Sequence, residues 1–388
     1  MSEELTTYSA AQLARMMRTR VVSPVEVVEA YLRRIERLNP TLNAIVALAP
    51  DALERAREAE DLIMHGSDRA ALRGVPVTVK DTIDVAGLSA TAGTKIFEQR
   101  VANRDAPGVT LLRDAGAIIL GKTNTSEMAL DYTSNNPVYG RTNNPYDLAR
   151  TPGGSSGGCA VAVAACLTPA SLGSDLAGSI RIPAHFCGVA GLKPTAGRIS
   201  GVGHFPPMNW PYERAASLGP LARRVEDLGL LLHVLTGEAF EPAHSEVEPS
   251  SAKSRDGMLG RRVAFYTDDG ATPVTDEIRD AVRKAAAALQ AFGLDVREAR
   301  PPGVEHATRL WLELFSSATA KLVTSIYEGR REDAGRAALA VLRRAEKSPA
   351  KTSEGERHSW AERDLLRAEL LRWMETTPLI VAPVGAVP

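Results

Sequence analysis

Cysteine is scarce in this sequence: Cys159, Cys166 and Cys187 are the three present, an odd number with no CxxC pair among them. That spacing indicates neither a disulfide framework nor a thiolate zinc site, and it fits a reducing cytoplasm in which the three serve as small buried apolar groups. Charge of one sign is missing too. Lys and Arg number 46 against 47 Asp and Glu, a net charge of −1. No basic field exists to hold a phosphate backbone or an anionic membrane, so neither nucleic acid nor membrane is expected as a partner. No run reaches the ~18 consecutive apolar residues of a membrane span. The opening "MSEELTTYSAAQLARMM" places acids early and lacks the apolar stretch of a secretory signal. What remains is bulk: 388 residues, 44% of them hydrophobic, enough for a substantial core in one large domain or two smaller ones.

The first 72 residues read as helices. Ser9 with Gln12 forms a capping box before "AAQLARMMR". Ser23, Pro24 and Glu26 supply an N-cap, an N1 proline and an N3 acid for "PVEVVEAYLRRIERL". A third helix is expected in "DALERAREAEDLI". From residue 74 the period changes. "GVPVTV" and "AGAIILG" are short Val/Ile-rich runs with the helical "PGVTLLRDAG" between them, the alternation of a parallel or mixed α/β sheet. "GRRVAFYTDD", an Ala-rich helix and "LDVREA" continue it, and 304–375 is mostly helical. Residues 238–258 are polar with Pro and Ser, and read as a surface linker between a core at 73–237 and a remainder at 259–388.

Two motifs match on paper and fail in context. "GAIILGKT" (116–123) fits the phosphate-loop pattern, but its interior is a buried strand where a phosphate cradle needs exposed backbone N–H groups in a loop. Lys122 is therefore read as structural. "GGSSG" (153–157) fits a nucleophile elbow, but the preceding "NPYDLARTP" supplies no strand. A larger set of motifs remains: Lys80 at the end of "GVPVTVKD", Ser155 in "GGSSGG" before the apolar helix "CAVAVAACL", and Ser179 in "GSDLAGSIRIPA". A hydroxyl is a weak nucleophile unless a base stands within hydrogen-bond reach.

These residues resemble the amidase signature hydrolases. The resemblance runs over nearly the whole chain, through "GVPVTVKDTIDVAG", "GKTNTSEMA", "TPGGSSGG", "GSDLAGSIRIPA", "GLKPTAGR", "LGPLARRVEDL" and "APVGAVP". It implies a single domain over 1–388 with an α/β fold, a large mixed twisted sheet covered by helices on both faces. It implies Ser179 as the acylated nucleophile, Ser155 as a bridging serine after a cis Gly154–Ser155 peptide, and Lys80 as the base. Burial at the end of an apolar strand disfavours the ammonium form, so the chemistry is coherent from the residues too. A hydroxyl between Lys80 and Ser179 can pass a proton either way, which leaves His185 a structural residue. The turn Leu176, Ala177, Gly178 and Ser179 can aim backbone N–H groups at a forming oxyanion. The resemblance gives Ser156, Asp175 and Arg181 supporting roles, with Thr151 a weaker candidate at the loop entrance. Substrate contact is expected around Asn124 to Met128 and in "GHFPPMNWPY", which carries Phe205, Met208 and Trp210.

The implied activity is a cofactor-free and metal-free amidase acting on a small-molecule amide. The alternatives are the amidase subunit of a glutamine-dependent tRNA amidotransferase, which hands ammonia to a partner, or an inactive relative. Ala177 stands where the family pattern has a second glycine, and Ala196 where the amidotransferase protein has an aromatic residue. The chain ends at "TTPLIVAPVGAVP", before a segment that members normally add to the central sheet. A shortened C-terminal part is therefore expected, and its unpaired sheet edge makes a homodimer one expectation.

Overall fold

The structure, a computed structural model, describes residues 4–66, 70–237, 257–347 and 353–388. Both helix starts read from the sequence form as reciprocal caps. Ser9 Oγ accepts from the Gln12 N–H at 3.1 Å while Gln12 Oε1 accepts from the Ser9 N–H at 2.9 Å, opening α1 (Ala10–Arg18). Ser23 and Glu26 do the same for α2 (Pro24–Leu42).

By its contacts the chain divides into two compact units, Met1–Glu241 with Val323–Arg343, and Pro242–Leu322 with Arg344–Pro388. In the first unit the chain runs β1 (Ile45–Leu48), α3 (Ala52–Met64), β2 (Pro76–Lys80), α4 (Pro107–Asp114) and β3 (Ile118–Thr123). It continues through the short pair β4 (Asn135–Asn136) and β5 (Gly140–Arg141), then α5 (Gly157–Ala164), β6 (Ala170–Asp175), α6 (Arg181–Phe186), β7 (Ala190–Gly191), β8 (Ser217–Ala222) and α7 (Val225–Thr236).

The main sheet has six strands in the order β1-β3-β2-β6-β8-β7. β2 lies parallel to both β3 and β6, while β1, β8 and β7 add antiparallel pairings, so the sheet is mixed. Every residue of β2, β3, β6 and β8 is buried, which is why these strands read as continuous apolar runs with small residues between. Successive strand residues face opposite sides. Leu172 of β6 points toward Gly108 of α4, whereas its neighbour Gly173 faces Ser156 at the start of α5. Helices thus cover both faces, with α4 and α7 on one and α5 on the other.

The second unit holds a parallel sheet with β9 (Arg262–Phe265) between β10 (Asp295–Glu298) and β11 (Leu379–Val381). The Ala-rich helix Asp276–Phe292 links β9 to β10. Helices at Ala307–Ile326, Arg336–Lys347 and Ser353–Thr376 bear out the helical reading of 304–375. Where the sequence reading expects a shortened C-terminal part, the final segment supplies a strand paired with β9 through Leu379, Ile380 and Val381. The linker expected at 238–258 lies, up to residue 256, outside the described residues. Among the described residues no helix is long and apolar enough to cross a membrane.

Candidate active site

Lys80 is the last residue of β2 and is fully buried, beside Val77 and Val79. Its Nζ donates to Ser155 Oγ at 2.6 Å and to Ser174 Oγ at 2.9 Å. Burial pushes its pKa from the ordinary 10.5 down to about 8, against upward pulls from Cys159, Asp175 and Asp81. An amine so placed reaches its neutral, basic form near physiological pH.

Ser155 sits in the loop before α5, and the Gly154–Ser155 peptide is cis. Ser134 stitches this loop, its Oγ donating to the Gly153 carbonyl at 3.0 Å and accepting from the Gly157 N–H at 2.9 Å. A Cβ on Gly154 would lie 2.8 Å from the Thr133 nitrogen, so the loop can approach its neighbour this closely only with glycine there. Thr151 contributes at the entrance, its Oγ1 accepting from the Gly153 N–H.

The turn carrying Ser179 follows β6 directly. The Ser156 N–H donates to the Ser179 carbonyl at 3.0 Å, and Ser156 Oγ donates to the Ser174 carbonyl at 3.2 Å. These two bonds bring the glycine loop and the Ser179 turn together. Asp175 fixes the turn from within: Oδ1 accepts from the Gly178 N–H at 2.7 Å and Oδ2 from the Ile180 N–H at 3.0 Å. Arg181 adds a two-pronged pair, Nη2 to Oδ1 at 2.8 Å and Nε to Oδ2 at 3.0 Å. Burial pushes the Asp175 carboxyl up, but the Arg181 bonds and charge and the two N–H donors outweigh it and hold the group below its ordinary value. Gly178 has φ +118° and a Cβ there would meet Ile182 Cδ1 at 2.8 Å, whereas Ala177 needs no such freedom. The expected set of backbone donors loses one member, because the Gly178 N–H is spent on Asp175; Leu176, Ala177 and Ser179 remain. Lys80 and Ser155 are fully buried, and Ser179 is 9% exposed.

The other sequence candidates make contacts of their own. Asn124 is fully buried, its Nδ2 donating to the Asn43 and Gly140 carbonyls and its Oδ1 accepting from Asn136 and the Thr125 N–H. Its amide is committed to internal bonds and shapes the loop. Met128 is buried in a second apolar cluster with Val323, Tyr327 and Ala338, against which Phe205 packs from a half-buried position. Phe205 also meets Phe97 edge-on at 4.7 Å. His185 lies on α6 with its ring 5.5 Å from Phe186. Lys122 ends inside β3, its Nζ donating to the Ser89 and Asp81 carbonyls at 2.9 and 3.2 Å.

Sequence reasoning missed three residues. Ser174, five positions before Ser179, is a polar residue in a buried strand that touches Lys80 directly. His204 reaches Ser174 from a segment that follows the site by 30 positions, with Nε2 at 2.9 Å from Ser174 Oγ. Ser174 and Ser134 could have been suspected as hydroxyls beside the motifs. Nothing local in "GHFPP" points to His204.

The family model described as Amidase matches residues 26–388. The chain belongs to the amidase signature family. It is 34% identical over 335 residues to a glutamyl-tRNA(Gln) amidotransferase subunit of Thermoanaerobacter pseudethanolicus, covering 84% of this chain and 67% of that protein. Against the same-named protein of Gloeobacter violaceus it is 39% identical over 303 residues, 76% of this chain and 60% of the relative. The chain thus spans about two thirds or less of the length of these curated relatives. Among solved structures, 6-aminohexanoate cyclic dimer hydrolase superposes with a TM-score of 0.79 at 31% identity, covering 96% of this chain and 78% of that one.

The partner expectation is corrected by these relatives. Absence of a basic field argued against a nucleic-acid partner, and the resemblance suggested a small-molecule amide, yet both curated relatives are subunits of a tRNA amidotransferase. Net charge speaks to the surface of one chain and not to an assembly in which another protein can carry the basic field.

Proposed function

We propose that this chain cleaves the C–N bond of a carboxamide through an acyl-enzyme on Ser179, as the ammonia-releasing subunit of a glutamine-dependent tRNA amidotransferase. The observation that carries the chemistry is the buried 2.6 Å contact between Lys80 Nζ and Ser155 Oγ in a site where burial favours the neutral amine. The relatives' names support the setting. In the reaction Ser179 gives its proton to Ser155 as its Oγ attacks the carbonyl carbon, and Ser155 gives its own to the neutral Lys80. The N–H groups left free on the Ser179 turn receive the oxyanion. As the C–N bond breaks, the proton returns through Ser155 to the leaving nitrogen and ammonia departs. Water then attacks the ester, giving a proton to the relay, and as the bond from the carbonyl carbon to Ser179 Oγ breaks the proton passes to Oγ, restoring the hydroxyl and releasing the carboxylate. Three free cysteines fit a reducing cytoplasm as the place of action.

A second reading, a stand-alone amidase, rests on Ala196 in "KPTAGR" and on the likeness to the cyclic dimer hydrolase. Incubation with glutamine and with a panel of other amides, read by ammonia release and by intact mass, separates the two. The leading reading expects a glutamyl adduct on Ser179 that disappears in Ser179→Ala, with turnover raised by the partner subunits. Turnover of other amides with none of glutamine favours the second. A folded protein that no fluorophosphonate labels at Ser179 contradicts both.

A further inference from the structure

A neutral amine has one lone pair and two hydrogens, and Lys80 Nζ has two hydroxyl neighbours, Ser155 and Ser174. Either hydroxyl can donate or accept, so the relay alone leaves the direction of the lone pair open. If Ser174 turned its hydrogen toward Nζ, it would occupy the lone pair that Ser155 needs.

His204 removes that ambiguity. Its Nδ1 lies 2.7 Å from the Pro206 carbonyl oxygen and its Nε2 2.9 Å from Ser174 Oγ. A carbonyl oxygen only accepts, so Nδ1 carries the hydrogen. In the neutral ring Nε2 is then an acceptor, and the group facing it, Ser174 Oγ–H, must donate. With its one hydrogen given to His204, Ser174 can only accept from Lys80. The ring is held in place by backbone: the Asp84 N–H donates to the Gly203 carbonyl at 2.8 Å, and the Phe205 N–H donates to the Thr82 carbonyl at 2.8 Å. Those anchors belong to the segment that follows Lys80. Burial, then the Lys80 charge, pushes the imidazole down to about 3, against pulls from the Pro206 carbonyl and Asp84, and this keeps the ring neutral.

We propose that His204 is a positioning residue that fixes Ser174 as an acceptor and thereby turns the Lys80 lone pair toward Ser155. The hydrogen-bond order is Pro206 C=O, His204, Ser174, Lys80, Ser155, with each donor set by the one before it. This inference rests on the acyl-enzyme reading above and deepens it. His204 is no base here, since its acceptor nitrogen is already bonded to Ser174. It is the polarity of one hydroxyl that it controls.

The test separates the two bonds of the ring. His204→Asn keeps a donor near Pro206 and takes away the acceptor facing Ser174; His204→Gln offers an amide oxygen where Nε2 stood. The readout is the rate constant and the binding constant for fluorophosphonate labelling of Ser179, with thermal melts of every variant. His204→Asn is expected to label about tenfold more slowly at unchanged probe binding, and His204→Gln to label near the wild-type rate. In a Ser174→Ala background, where no hydroxyl competes for the lone pair, His204→Asn is expected to cost nothing further, the signature of action through Ser174. An equal loss from His204→Asn in both backgrounds overturns the inference and makes His204 a packing residue. A variant that does not fold is set aside for its partner, since the Gln variant alone still predicts a rate that follows Ser174. Failure of the acyl-enzyme reading has a different mark: a folded wild-type protein that does not label at all, or that labels equally well as Lys80→Ala.

Discussion

Lys80 and Lys122 stand near the ends of adjacent parallel strands, and both are fully buried. Burial pushes each from 10.5 down to about 8. They differ in what they touch. Lys80 faces two hydroxyls, Ser155 and Ser174, whereas Lys122 faces two carbonyls, those of Asp81 and Ser89. A hydroxyl can take a proton from an amine or give one back, but a carbonyl only holds the proton the amine already has. Lys122 therefore pins the turn after β2, and Lys80 can work as a base. A depressed pKa is not enough to make a lysine catalytic; the partners decide.

The comparison breaks first at Lys80. Lys80→Ala is expected to slow acylation by amides by about a thousandfold or more, and by activated esters much less, since their leaving groups need no proton. Burst kinetics on matched amide and ester substrates check this, and an equal loss on both contradicts the base-and-acid role. Asp175→Asn comes next, with labelling of Ser179 slowed about ten- to a hundredfold because the Arg181 pair that holds the turn is weakened. It also removes a negative charge that favours protonated Lys80. The acid limb of the rate is thus expected to move to lower pH, which a pH series reads directly. Asp175 does not figure among the groups that act on Lys122.

Lys122→Met should leave labelling of the folded protein within about threefold of wild type and cost about 2–4 kcal/mol of stability, because it strands two buried carbonyls. Denaturant melts and labelling of the same sample check both halves. A further effect of the same substitution concerns pH and stability. Between about 8 and 10.5 the unfolded chain keeps lysine protons that the folded chain has lost, so each lysine makes stability rise with pH across that window and contributes nothing to the slope below it. Lys122→Met removes one proton's share of that rise, about 1.4 kcal/mol per pH unit, visible as a flatter curve than wild type in the same melts.

Much of this was legible in the chain. The caps at Ser9 and Ser23 and the apolar runs of β2 and β3 are local signals, written in residues a few positions apart. Lys80 and Ser155 are 75 positions apart, and their pairing came from the resemblance and not from spacing. His204 was hidden because its role is set by tertiary approach: the Ile83 and His204 backbones meet in an isolated bridge that no periodicity announces. For Asn124 and Met128 the sequence shows the motif and not the packing. In the structure Asn124 takes part in loop bonds and Met128 in the apolar cluster with Val323 and Tyr327. Gly178 belonged to the right turn, and only the geometry shows its N–H already taken by Asp175.

The charge on Lys80 can be read directly by following its side-chain nitrogen by NMR from pH 6 to 11, assigned by its loss in Lys80→Ala, beside the rate of Ser179 labelling at each pH. The account predicts one titration near pH 8 shared by the resonance and the rate. A Lys80 amine still charged at pH 10, in a protein that already labels at its full rate, contradicts it.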